Sequence, residues 1–493
     1  MPRILLILIV VGGFSARFIG LSDHCFWLDE FTSVEIASKP IISILKGEGF
    51  DSHTPPFYYI LISLWSSLFA LDEFGLRFFS VVVDSINILL IFFVFSKSFG
   101  EKVGLGAALL FSASPYSYYY AQEGRMYSLL MLLSLCSIDL CGRVVLQGWT
   151  RLRFIAAVTL FVFGAYTHYY YPLFVIGLTI GMFLHFLSRA SKGISIRPRW
   201  ENFGLWIFAG ILAAVCFLPW FSTVWHLFGK GGQVFRSSDP LRLLIYFPYT
   251  LFRFLAGYGS LPLTLNSKQE VVHTVIGNLP LISIYLLSSI IFFALGWSCL
   301  KKTDFGKILS WGILLPPVLA YLVSLRAPML SDRYLSVIYP VFIVFVSAGI
   351  CSLRGLAKNL SIGIVGLLSL LGLVSYHSNP GFGNIDWRLL SKQIERANPK
   401  PEKIFVNPEY FKKLVASYLP SDIEVLPVST SPSSESAEML EELELVISSG
   451  VSFGLIEVGS AESVIPLIKE RKKVYLQQSQ EFENGVDFYR VEN

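Results

Sequence analysis

Two adjacent acids, Asp29 and Glu30, follow the aromatic pair Phe26-Trp27 directly after a long apolar run. Acids this close to hydrocarbon are costly to desolvate, so they usually carry a task or a partner. Further along, Glu123 and Arg125 sit in Tyr118-Tyr119-Tyr120-Ala121-Gln122-Glu123-Gly124-Arg125-Met126-Tyr127, and His53 opens His53-Thr54-Pro55-Pro56. His168 lies in Thr167-His168-Tyr169-Tyr170-Tyr171-Pro172, and Arg333 in Ser331-Asp332-Arg333-Tyr334. Carboxylates near arginines and histidines suit group transfer from a phosphate-linked donor. One carboxylate can take a proton from an acceptor hydroxyl or amine. Arginine can hold a phosphate bidentately and stabilise charge on it as it leaves. A divalent metal, Mg or Mn, held by Glu123 and His53 could share that task, and these ligand types suggest no other cofactor.

Each motif also has a plainer explanation. One of the two acids could cap a helix over Thr32–Lys46 and meet its dipole, and this stands level with the catalytic reading. Glu123 and Arg125 could be a snorkelling ion pair at a helix end. His53 could be an ordinary loop residue, the tyrosines around His168 an interface belt, and Arg333 a partner for Asp332.

These residues can act together only if the chain brings them to one face of a membrane. Of 493 residues, 54% are apolar and 15% charged, with a mean hydropathy of +0.60. A soluble fold of this length could not hide so much apolar surface. The net charge of +4 gives no nucleic-acid surface. Apolar runs at 4–21, 78–96, 103–120, 127–146, 154–171, 172–188, 203–222, 276–300, 308–325, 334–353 and 359–377 predict about eleven spans. The first is read as a retained span that also targets the chain to the membrane. Pro56–Leu71 is left out: it is short, bracketed by Pro55-Pro56 and Asp72-Glu73, and its Tyr58, Tyr59 and Trp65 suit a helix lying in the interface. With that choice the short loops carrying Lys97 and Lys102, Arg143 to Arg153, Arg189 to Arg199, Lys301 to Lys307, and Arg354 and Lys358 all share the cytoplasmic side. The N-terminus is then cytoplasmic, and outer loops fall at 22–77, 121–126 and 223–275.

The expected architecture is an α-helical polytopic protein of the cell membrane over 1–377, with a small extracytoplasmic α/β domain at 378–493. In that tail, strand-like runs at Lys403–Val406, Glu424–Val428, Leu443–Ser448, Phe453–Val458, Lys473–Gln477 and Phe488–Val491 alternate with helical patterns at Trp387–Ala397, Pro408–Tyr418 and Ala461–Lys472.

The sequence resembles the GT-C membrane glycosyltransferases, in particular the protein O-mannosyltransferase (glycosyltransferase family 39) and aminoarabinose transferase-like group. The matching residues are Trp27-Leu28-Asp29-Glu30, His53-Thr54-Pro55-Pro56-Phe57-Tyr58-Tyr59, Phe74-Gly75-Leu76-Arg77, Tyr120-Ala121-Gln122-Glu123-Gly124-Arg125-Met126-Tyr127 and Asp332-Arg333-Tyr334-Leu335. The likeness is dense over 1–190 and rests mainly on topology beyond it. It implies transfer of a sugar from a polyprenyl-phosphate-linked donor to an extracytoplasmic glycan, lipid or protein, with inversion. Asp29 would be the general base, with Glu30 and Glu123 shaping the site or binding metal. Arg333, Arg125 and His168 would hold the donor phosphate, with His53 and Tyr127 touching substrate. Arg236, Arg242 and Arg253, with Tyr246, Phe247 and Tyr249, would cover the donor from the long outer loop.

The competing reading is a transporter or flippase for a lipid-linked sugar. It would need acids in mid-membrane, and Asp84 and Asp139 are its candidates. Asp84 could equally lie near Asn87 on a helix seam, and Asp139 close enough to the inner end to reach water.

Overall fold

A computed structural model describes residues 2–47, 54–190, 197–230, 240–258, 275–325, 330–378, 385–398, 400–429, 434–449, 453–458, 463–469, 473–480 and 486–492. The chain divides into two compact units. One holds Met1–Leu21, Ser33–Leu261 and Ser267–Tyr376; the other holds Ser22–Thr32, Pro262–Asn266 and His377–Asn493.

The helices run α1 Pro2–Phe18, α2 Leu28–Ala37, α3 Ile41–Lys46, α4 Phe57–Trp65, α5 Glu73–Phe99, α6 Glu101–Ser112, α7 Pro115–Ala121 and α8 Tyr127–Gln147. They continue with α9 Arg151–Ala165, α10 Tyr170–Ala190, α11 Arg197–Lys230, α12 Pro240–Ala256, α13 Leu279–Leu300, α14 Asp304–Ser324, α15 Tyr339–Ser352 and α16 Gly355–Ser378. Among the described residues, eight helical stretches of 19 to 27 residues are apolar enough to cross a bilayer, and each coincides with an expected span. The protein is a multi-pass membrane protein.

Pro56–Leu71 does not form a crossing. Its helix α4 has nine residues, about 13 Å of rise against a hydrocarbon core of ~30 Å. Tyr58 and Tyr59, expected at the water–lipid boundary, are instead fully buried.

Three expected spans differ in detail. The first, 4–21, is a 17-residue helix that starts earlier and ends at Phe18. The run 103–120 breaks at Ala113-Ser114. Pro115 follows, and the residue before a proline is pushed out of helical geometry. Ser114 is extended, and its Oγ accepts the amides of Tyr116 (3.1 Å) and Ser117 (3.2 Å), so α7 starts afresh. The run 154–171 ends as helix at Ala165. A Cβ on Gly164 would meet the Tyr171 ring at 2.1 Å, so this glycine lets the next helix fold back against α9. His168 therefore lies in a turn. The helix expected over Thr32–Lys46 starts earlier and splits into α2 and α3, separated by Pro40, so both acids fall inside the first turn of α2.

The basic loop ends meet one another. Asp139 is bound by Arg143 Nε at 2.6 Å and approached by Lys97 Nζ at 3.8 Å. Asp304 is shared by Arg189 (2.5 Å), His185 (3.6 Å) and Lys307 (3.7 Å). Opposite-sign pairing of this kind ties the ends of α5 and α8, and of α10 and α14, at one end of the helical unit. Asp84 is fully buried and engaged deep in that unit. Arg17 Nε reaches it at 2.6 Å, and Ser117 Oγ donates to it at 3.0 Å, joining α1, α5 and α7. Asn87 Nδ2 donates to the Ser128 carbonyl at 3.0 Å.

In the second unit, five strands, β1 Lys403–Asn407, β2 Glu424–Pro427, β3 Phe453–Val458, β4 Lys473–Gln480 and β5 Val486–Glu492, form one mixed sheet in the order β2-β1-β3-β5-β4. β1 is parallel to β2 and β3, and β5 is antiparallel to β3 and β4. Helices α17 Trp387–Glu395, α18 Lys412–Tyr418, α19 Ser434–Ser449 and α20 Ile465–Lys469 complete it. Leu443–Ser448, expected as a strand, belongs to α19. Leu440, Leu443, Val446 and Ile447 pack on the core at helical spacing, and the flanking Glu and Leu residues are strong helix formers.

Candidate active site

The turn between α7 and α8 is fixed from several directions. The Glu123 carbonyl accepts from Ser80 Oγ at 2.7 Å and from the Arg125 amide at 2.8 Å. Gln122 Nε2 donates to the carbonyls of Arg17 (3.0 Å) and Ile19 (2.7 Å). Arg125 Nη1 donates to Ser33 Oγ at 3.1 Å and to the Tyr59 hydroxyl at 3.3 Å. Glu123, Arg125 and Tyr127 are all buried. A guanidinium held this way is preorganised, which lowers the cost of receiving an anion.

His168 projects from the turn between α9 and α10. Its Nδ1 accepts the Tyr170 amide at 3.1 Å, so the neutral ring carries its proton on Nε2. The rings of Tyr334 (4.8 Å), Tyr170 (5.5 Å) and Tyr127 (6.3 Å) surround it. Burial, followed by the positive charges of Arg125 and Arg333, pushes its pKa down to about 3. His168 is therefore a neutral donor beside two cations. The Arg333 guanidinium lies 5.6 Å from the centroid of Tyr334.

The neighbouring Asp332 is buried. Its carboxylate accepts from the Tyr258 hydroxyl, and its carbonyl accepts from the Tyr116 hydroxyl at 3.0 Å. Tyr258 also meets the Tyr120 hydroxyl at 2.7 Å, and Arg253 stacks 4.6 Å from its ring centroid. Burial and the Asp332 charge drive the Tyr258 hydroxyl well above the ordinary tyrosine range, so it remains a donor. Three hydroxyl-bearing rings thereby fix the backbone that presents Arg333.

Of the residues expected from the sequence, the structure brings together Arg125, His168, Arg333 and Tyr127, with Glu123 on the same turn as Arg125. Asp29 and Glu30 are placed in the other unit, at the start of α2, where the helix dipole favours their charge. Glu30 is buried and Asp29 half-buried. His53 and Arg236 lie outside the described residues, as does the side chain of Arg242. Among the described residues, no three His, Cys, Asp or Glu side chains are grouped to hold a metal ion. The sequence reading missed Ser33, Ser80, Tyr170, Tyr258 and Tyr334 as contributors. The Tyr58-Tyr59 pair was visible but assigned to the membrane surface.

The family model described as dolichyl-phosphate-mannose-protein mannosyltransferase matches residues 53–225. No curated protein sequence matches the chain. ArnT from Cupriavidus metallidurans, in a crystal structure bound to undecaprenyl phosphate, superposes with a TM-score of 0.61 at 12% identity, over 98% of this chain and 97% of ArnT. Its apo form gives 0.64 at 11% identity, over the same shares of the two chains. The oligosaccharyltransferase of Archaeoglobus fulgidus, in complex with Zn and sulfate, gives 0.52 at 10% identity, over 92% of this chain and 68% of that one. Matched along nearly its whole length, the chain has the GT-C-type membrane fold of ArnT.

Proposed function

We propose that the chain is a membrane glycosyltransferase that moves a sugar from a polyprenyl-phosphate-linked donor to an extracytoplasmic glycan, lipid or protein. The observation that carries this is the meeting of Arg125, neutral His168 and Arg333, whose charges act on one another within a buried tyrosine-lined setting. That chemistry suits a lipid-linked phosphate, and the fold is shared with a protein whose crystal structure holds undecaprenyl phosphate.

In this mechanism Asp29 takes the proton from the acceptor hydroxyl or amine as that atom attacks the anomeric carbon. The bond from that carbon to the phosphate oxygen breaks on the opposite face, giving inversion. The electron pair stays on the lipid phosphate, where the two guanidiniums and the His168 Nε2–H stabilise it. Glu30 and Glu123 shape the site, and Tyr127 and His53 contact substrate. A divalent metal at Glu123 and His53 would add charge on the phosphate. The basic loops favour a cytoplasmic N-terminus, which puts the chemistry and the C-terminal domain outside the cell membrane.

A transport path would use acids in mid-membrane. Asp84 is engaged by Arg17 and Ser117, and Asp139 by Arg143 and Lys97, which favours the enzyme. The test is purified protein in lipid nanodiscs with a panel of radiolabelled hexosyl and pentosyl polyprenyl phosphates and extracted envelope glycans, lipids and proteins. Label passing from one donor to an acceptor is the expected result. Vesicle uptake of lipid-linked sugar with no transfer from any donor would overturn the proposal.

A further inference from the structure

We propose that the C-terminal domain positions Asp29 through a clip made by Tyr418, Arg388 and Asp386 on residues Ser22–Phe26; this rests on the reading of Asp29 as the base. The Phe26 amide donates to the Tyr418 hydroxyl at 2.8 Å. Arg388 Nη2 donates to the Ser22 carbonyl at 3.1 Å, and its Nε reaches Cys25 Sγ at 3.2 Å. The Cys25 thiol in turn lies 3.8 Å from Asp386 Oδ1 as donor. That same carboxylate oxygen caps α17 by accepting the Leu389 amide at 2.9 Å. Cys25 and Phe26 are buried, and all these residues belong to one compact unit.

The clip ends where α2 begins. The Trp27 carbonyl accepts the Phe31 amide at 3.0 Å, so the residue after Phe26 already belongs to the first helical turn, which carries Asp29 and Glu30. Phe26 precedes that helix, so its amide has no intrahelical acceptor and would need water or a side chain. Tyr418 supplies that acceptor from the last residue of α18. A displaced Phe26 shifts the start of α2 and the acid on it. An error near 1 Å in a reacting group can cost about 10²-fold in rate. Tyr418 and Arg388 are thus positioning residues, which gives the C-terminal domain a part in catalysis without a reactive group of its own.

The experiment uses the full chain in nanodiscs with whichever donor of the panel supports transfer. Tyr418→Phe and Arg388→Ala are measured singly and together, with Arg388→Lys as the conservative variant. The double variant should lose about 10-fold to 100-fold in kcat. Donor KM should stay within about threefold, since no donor contact changes, and the variant should melt lower but remain fully folded at the assay temperature, since the buried Phe26 amide loses its acceptor. Arg388→Lys should recover part of the loss. Adding Arg388→Ala to Asp29→Asn should lower the residual rate no further, because the group being positioned is already inactive.

Unchanged kcat in a well-folded double variant would overturn the clip. So would a loss fully explained by a smaller folded fraction, or a multiplicative loss on top of Asp29→Asn. If Asp29→Asn transfers sugar at the parent rate, the base reading itself fails. If that variant is inactive while the clip variants are normal, only the clip fails.

Discussion

Substituting Asp84 by asparagine separates a structural acid from one on a transport path. Arg17 makes five hydrogen bonds: to Asp84, to Ser117 Oγ at 2.8 Å, and to the carbonyls of Gly13 (3.1 Å), Ser112 (3.0 Å) and Phe111 (3.3 Å). Both charges are fully inaccessible to solvent. Asparagine keeps the shape and an acceptor oxygen but removes the charge, leaving a buried guanidinium with neutral acceptors and no counter-ion. Breaking a buried pair from one side costs about 3–5 kcal/mol, and the surviving acceptors put this case near the lower end. At ~3 kcal/mol the folding equilibrium shifts roughly 10²-fold toward the unfolded state. Unfolding in mixed detergent–SDS micelles, followed by tryptophan fluorescence, measures it. Replacing both partners, Arg17→Met with Asp84→Leu, should recover most of the loss, because neither charge is then stranded. Sugar transfer by folded Asp84→Asn at low temperature should stay close to the parent. Parent-like stability in the single variant would show that the Arg17–Asp84 pair is not structural, as would a double variant no better than the single.

Arg125→Ala removes the donor to Ser33 and Tyr59 and one of the two cations beside His168; transfer should fall by at least about 10²-fold in donor titrations, with the protein still inserted. His168, with its pKa near 3, stays neutral in the folded protein at working pH. Between about pH 6.5 and 3 the unfolded chain binds the extra proton, so this group makes stability rise with pH across that window and fall as the medium is acidified. His168→Gln should flatten that acid-side fall in melting curves while leaving the transfer profile from pH 7 to 8 without a new inflection. Tyr258→Phe strands the Asp332 carboxylate and should cost about 1–3 kcal/mol in the same unfolding assay, with a weaker donor KM as Arg333 loosens.

Most of the membrane unit was legible because apolar length and loop charge are local signals. The shortness of Pro56–Leu71 could be read from its flanking Pro55-Pro56 and Asp72-Glu73, and it ends as a nine-residue helix. The interruption at Ser114 was also written locally, in a serine followed by proline, yet the continuous hydropathy of 103–120 concealed it. Tertiary pairings left no such trace. Arg17 and Asp84 are 67 positions apart, and Tyr258 and Asp332 are 74 apart, so the sequence suggests only the nearby partners Asn87 for Asp84 and Arg333 for Asp332. Tyr59 was read as a membrane-surface ring because its hydroxyl partner, Arg125, lies 66 positions away. In the tail, Phe453–Val458 was read to the residue, whereas the end of α19 passed for a strand because Leu-Val-Ile is apolar in either geometry. The grouping of Ser22–Thr32 with the C-terminal residues could not be foreseen, since Tyr418, Arg388 and Asp386 reach residues more than 360 positions away.

The role of Asp29 is decided by a single-turnover assay of Asp29→Asn in nanodiscs, using a radiolabelled polyprenyl-phosphate sugar that the parent protein accepts. The variant should bind donor as tightly as the parent and transfer its sugar at least about 10²-fold more slowly, because only the proton acceptor has been removed. Transfer at the parent rate by this variant would contradict the assignment of Asp29 and the mechanism built on it.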